Sequence, residues 1–183
     1  MLSVSYLQIV LFISILWILV RAVVWLKNRT VCPKRELQLL LVYICLIVVA
    51  RFTFCPFFLV DGKVPPLVFD PDRIFPLWVN FLPFVYLFDY PNLLVTLLNI
   101  IGNVAMFLPL GIVWPVVFKE LNTPAKAIAA GAGVSLCIEI LQLPFYDRAT
   151  DVDDLLMNTL GFVLGYLILI LVRKIRRERH VRL

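Results

Sequence analysis

The residues of this chain with the means to do chemistry are Asn99, Glu139, Gln142, Arg148, Asp151, Asp154 and Asn158, all set in or beside long apolar runs. A carboxylate such as Glu139 can serve as general acid or base. Arg148 can clamp an anion, and the asparagines can orient a polar head group. A nucleophile with a paired base is missing from the pattern: Ser135 and Cys137 stand near Glu139 but lack a histidine partner. Catalysis, with Glu139, Arg148 and Asp151 as candidates, therefore stays open beside simple ligand binding. Cys32, Cys45, Cys55 and Cys137 are irregularly spaced, and the lone His180 lies in the tail. Neither zinc nor redox chemistry is predicted. An oxygen-only cation site at Asp151, Asp153, Asp154 and Glu139 is a second use of the acids, but helix capping accounts for that run more simply. No metal and no cofactor is expected.

What must position these residues follows from composition. The chain has 183 residues, 62% hydrophobic and 16% charged, whereas soluble domains are nearer to half apolar and a quarter charged. One soluble core of this length could not hide so much Leu, Val, Ile and Phe. The sequence is that of an all-α membrane protein. A helix needs about 20 apolar residues to cross a hydrocarbon layer roughly 30 Å thick. Five segments qualify, near residues 3–26, 37–54, 93–118, 124–143 and 154–172, and form one membrane domain. The first is too long, and too poor in N-terminal positive charge, for a cleaved signal peptide. Its Arg21 can snorkel to the interface with Lys27 and Arg29.

The net charge of +5 encodes orientation rather than nucleic-acid binding. With the N-terminus outside, the inner segments hold Lys27, Arg29, Lys34, Arg35, Lys119, Lys126, Arg173, Lys174, Arg176, Arg177, Arg179 and Arg182. The outer segments hold Lys63, Arg73 and Arg148. Twelve against three predicts the N-terminus out, and the basic tail at 173–183 in. The outer face is then acidic. Residues 56–92 hold seven of the twelve prolines yet are rich in Phe, Leu and Val. They cannot form one helix, and they are too apolar for a disordered loop. Short pieces at the outer interface are expected, with Trp78, Tyr86 and Tyr90 at head-group level.

Helical spacing shows where the polar residues point. Thr96, Asn99 and Asn103 share a face of the third span, with Gly102 nearby, and Pro109 and Gly111 predict a kink lower down. In the fourth, Ala127, Gly131, Ser135 and Glu139 recur every four residues, and Gln142 continues the face. That seam is either a packing stripe whose carboxylate reaches water, or the wall of a polar site. In the fifth, Asp154, Asn158, Gly161 and Gly165 repeat the pattern with a GxxxG, and Thr150 and Asp153 have capping-box spacing. The cluster lies within about two helical turns of the outer surface. A polar pocket open to the outer leaflet is expected, with Arg148 paired to a carboxylate and amides bridging the helices.

The run Asn99, Gly102, Asn103, Phe107, Pro109, Leu110, Gly111, then Glu139, Gln142, Arg148, Asp151, Asp153, Asp154, Asn158 and Gly161, resembles the VanZ-like family associated with resistance to teicoplanin and related lipoglycopeptides. Asn80, Phe81, Leu82, Pro83 and Phe84 resemble that family's Asn-Leu-x-Pro-Phe element. The likeness covers roughly residues 80 to 165, and Asp147 stands where a Gly is expected. It implies a multi-pass protein of the bacterial plasma membrane that blunts lipid-anchored glycopeptides. The shared residues, Asn80 and Asn103 included, become ligand-binding candidates. Membrane lipids, a lipid-linked cell-wall precursor or the lipoglycopeptide itself are the expected partners. The competing readings are an intramembrane enzyme acting on such an amphiphile and a small transporter, against which the lack of an internal repeat argues.

Overall fold

The computed structural model describes residues 2–55, 59–75, 79–85, 92–146, 148 and 150–181. Among them run five helices long and apolar enough to cross a membrane: α1 (Tyr6–Asn28), α2 (Pro33–Phe54), α3 (Leu93–Val117), α4 (Pro124–Gln142) and α5 (Val152–Val181). The expected spans are all present, and α5 runs well past its apolar part into the basic tail. Trp78, Tyr86, Tyr90 and Asp147 lie outside the described residues.

Each helix begins where its sequence supplies a cap or, for α2, a proline. Ser5 and Gln8 form a reciprocal capping box at α1. Pro33 opens α2 at a position where a missing N–H costs nothing. Asn92 accepts from the Leu94 N–H at 2.7 Å to start α3, and Thr123 does the same for Lys126 in α4 at 3.4 Å. At α5 the side chain of Asp151 accepts from the Asp153 N–H at 2.9 Å. The cap therefore falls one residue later than the Thr150 to Asp153 spacing predicts, because an aspartate fills the role as well as a threonine.

The chain divides into two compact units. The first takes residues 1–79 and 140–150. Within it β1 (Leu2–Val4) pairs antiparallel with β2 (Leu67–Phe69), Leu2 opposite Phe69 and Val4 opposite Leu67. The stretch after α4 is tied to the same strand, since Tyr146 donates to the Val68 carbonyl at 2.9 Å and Asp70 to that of Pro144 at 2.7 Å. Part of the proline-rich segment is thus built of short pieces, with a 3-10 turn at Pro71–Ile74 and strand β3 at Val79–Asn80. α1 touches α2 along one edge. Ser14 and Tyr43 share a hydrogen bond of 2.7 Å, Trp17 lies against the Tyr43 ring, and Arg21 forms an ion pair with Glu36. Arg21 is thus paired within the unit rather than only snorkelling, because α2 brings a carboxylate to its level.

The second unit takes residues 80–139 and 151–183. α3 and α5 run parallel and α4 antiparallel to them, as their contacts show. A β-carbon added at Gly161 would strike the Val104 carbonyl, one at Gly165 that of Leu108, and one at Gly111 that of Phe162. The GxxxG of α5 therefore serves backbone contact with α3. Gly131 instead makes room on α4 for a side chain, the ring of Phe162. The Phe162 side chain is fully buried at this junction, along with Phe107 and Leu110.

Candidate functional site

The polar residues of the second unit gather where α4 ends and α5 begins. The seam on α4 is buried along its length, from Ala127 and Gly131 to Ser135 and Glu139. Glu139 is only 3% exposed, so the carboxylate at the end of that seam does not reach water. One of its oxygens, Oε2, accepts the backbone N–H of Asp151 at 3.0 Å. One turn away along the seam, Ser135 accepts from Asn158 Nδ2 at 3.0 Å, and both residues are buried. Across on α3, Asn103 Nδ2 donates to Asp154 and to Asn99 Oδ1, the latter at 3.2 Å. Thr96 is buried on the same face, about one turn beyond Asn99.

Asp151 is the node of this network. Its backbone holds Glu139, while its carboxylate Oδ1 accepts both from the Asp153 N–H and from Asn80 Nδ2 at 3.1 Å. Asp153, read from the sequence as a capping residue, instead takes the backbone N–H of Phe84 on both oxygens, at 2.9 and 3.2 Å. That role was invisible in the spacing, because the partner is a main-chain group in a loop with no helical register. Of the nine ligand-binding candidates, Asn80, Asn99, Asn103, Glu139, Asp151, Asp154 and Asn158 all belong to the second unit and to this set of linked pairs.

Gln142 and Arg148 belong to the first unit. Gln142 is buried and donates to the Thr53 carbonyl at 2.6 Å, closing the last turn of α2 against the end of α4. Next to that turn, burial pushes the Cys55 thiol up from its ordinary range, and the guanidiniums of Arg51 and Arg148 oppose the shift. Among the described residues no three acidic, histidine or cysteine side chains converge as metal ligands would.

The fold and the cluster define a class: a multi-pass helical membrane protein with a buried network of acids and amides at the ends of three helices. The sequence profile of the VanZ/LLP1 family matches residues 40–173, most of the chain and all of this network, and the chain belongs to that family. It is similar to Protein VanZ of Enterococcus faecium, with 40% identity over 67 residues, which make up 37% of this chain and 41% of VanZ. No solved structure matches.

Proposed function

We propose that this is a bacterial plasma-membrane protein, oriented with its N-terminus out, that lowers susceptibility to teicoplanin and related lipoglycopeptides. It does so by holding the head group of an amphiphile in the outer leaflet, either a lipid-linked cell-wall precursor or the drug. The observation that carries this reading is the buried acid and amide network. Within it Asn158 Oδ1, in a side chain only 1% exposed, has no hydrogen-bond partner among the described residues. An unfilled buried acceptor is costly, and a ligand rich in N–H or O–H groups would fill it. Membership of the VanZ/LLP1 family supports the link to resistance. Ser135, the hydroxyl nearest to Glu139 along the seam, is engaged by Asn158, which favours binding over nucleophilic chemistry.

The test is Glu139→Gln in cells, read as teicoplanin susceptibility together with membrane abundance and melting temperature. Lost protection at normal abundance and melting temperature is expected. Full protection, or a loss that merely follows abundance, overturns the reading.

Orientation has its own test in a native residue. Cys32 is exposed between α1 and α2, whereas Cys55 is buried with its thiol pushed up and so reacts slowly. A membrane-impermeant maleimide should spare Cys32 in intact cells and modify it once they are broken. Labelling of Cys32 in intact cells would turn the protein over and move the acid and amide network to the cytoplasmic side.

A further inference from the structure

The loop that Asp151 and Asp153 hold has its polar and apolar groups sorted to opposite sides. Its inner side is polar: Asn80 folds back to accept from the Leu82 N–H at 3.1 Å while its amide donates to Asp151, and Phe84 gives its N–H to both oxygens of Asp153. Phe84 takes a left-handed backbone, φ 65°, which a bulky residue adopts only when its surroundings impose it. The paired acceptance by Asp153 supplies that imposition. On the other side, Phe81 is 73% exposed, Leu82 60%, Phe84 54% and Val85 49%. Four large apolar side chains within five residues, fixed outward by a clamp, form a surface that needs an apolar phase.

The geometry points to the lipid bilayer as that phase: the Asn80–Val85 loop is a wedge that inserts among the acyl chains of the leaflet at this face. The clamp residues stand at the first turn of α5, the depth at which a spanning helix leaves the head groups for hydrocarbon. The loop's apolar side chains are therefore set at the boundary where lipid is the neighbour, with Asn80, Asp151 and Asp153 behind them at head-group level. Because Asp151 also donates to Glu139, the depth of the wedge and the position of the buried carboxylate are linked through one residue. The wedge stands whether or not the network binds an amphiphile.

The experiment is photocrosslinking of the full chain, with p-benzoylphenylalanine in place of Phe81, in vesicles of phosphatidylethanolamine and phosphatidylglycerol. A second sample carries the probe at Asn122, exposed between α3 and α4. Phospholipid adducts at position 81, at least fivefold above those at position 122 by intact mass, are expected. Adding Asp153→Ala to the first sample should cut them severalfold while the melting temperature stays within a few degrees. Crosslinks from position 81 to another part of the chain or to a second copy would overturn the wedge, as would lipid adducts no more frequent than at Asn122. Adducts unchanged by Asp153→Ala would overturn the clamp.

Discussion

α1 and α5 are both apolar enough to cross a membrane, yet α1 buries none of its apolar stretch within the protein and α5 buries 33%. α1 has no glycine, and it meets α2 through polar and aromatic side chains, Tyr6 against Arg51 near its start and then Ser14, Trp17 and Arg21, which recur at i, i+3 and i+7 on one face. α5 carries Gly161 and Gly165 on the face that meets α3, with Asp154 and Asn158 a turn or two nearer its start. Hydropathy decides that both helices enter lipid. It is silent on what they pack against, because lipid tails are as apolar as leucine and give two helices no reason to associate. Small residues and hydrogen-bonding side chains supply that reason, and the two helices differ in which kind they use.

The sharpest way to break the contrast is to add bulk to the α5 seam. Gly161→Leu forces a side chain against the Val104 carbonyl, where backbone rather than a flexible side chain must give way. A loss of about 3 kcal/mol or more is expected, read as the midpoint of unfolding in mixed micelles. Since the α3 and α5 backbones would separate, teicoplanin protection should fall with it. A variant of wild-type stability would mean that the two backbones do not lie in contact.

A smaller effect is expected where α1 is held by charge. Arg21 reaches Glu36 with two nitrogens, the Nε contact being 3.0 Å, and the side chains are 14% and 24% exposed. Removing one partner strands the other, so Arg21→Met should cost about 1–2 kcal/mol, between the values for exposed and buried pairs. Replacing both, Arg21→Met with Glu36→Leu, should recover most of that loss. A double mutant as poor as the sum of the singles would show that each charge serves some third group instead.

Much of this was legible in the sequence and some could not be. The five spans followed from run length. Burial of the Ala127, Gly131, Ser135 part of the seam and close packing at Gly161 and Gly165 followed from four-residue spacing, because a helix turns that spacing into a face. Depth put Asn99 and Asp154 in one cluster, whereas Asn103, one turn further along the same face of α3, is the residue that donates to Asp154. What the spacing could not yield are contacts with no period: Asp153 taking the Phe84 N–H, Asn80 reaching Asp151, Glu36 meeting Arg21. Each depends on where a loop or a neighbouring helix comes to rest. Burial of Glu139 had the same character, since three residues from a helix end can be wet or dry according to what covers them. Here the Asp151 backbone supplies the cover.

The smallest effect, and the one that tests the other half of the contrast, belongs to the outer side of α1. Ile15 and Leu16 are 56% and 53% exposed and adjoin the Ser14 to Arg21 edge without joining it. If lipid is their neighbour, Ile15→Ala and Leu16→Ala exchange a contact with acyl chains for a similar contact. Each should then change stability by no more than about 0.5 kcal/mol, as at any site free of packing. The measurement is the same unfolding midpoint, repeated at several protein-to-detergent ratios. A loss of about 2 kcal/mol that shrinks as the protein is diluted would reveal a second chain seated on α1, because dilution dissociates the wild type too and only an association depends on concentration. A concentration-independent change near zero would leave α1 as a helix that lipid surrounds, tethered to its neighbour by side chains on one edge.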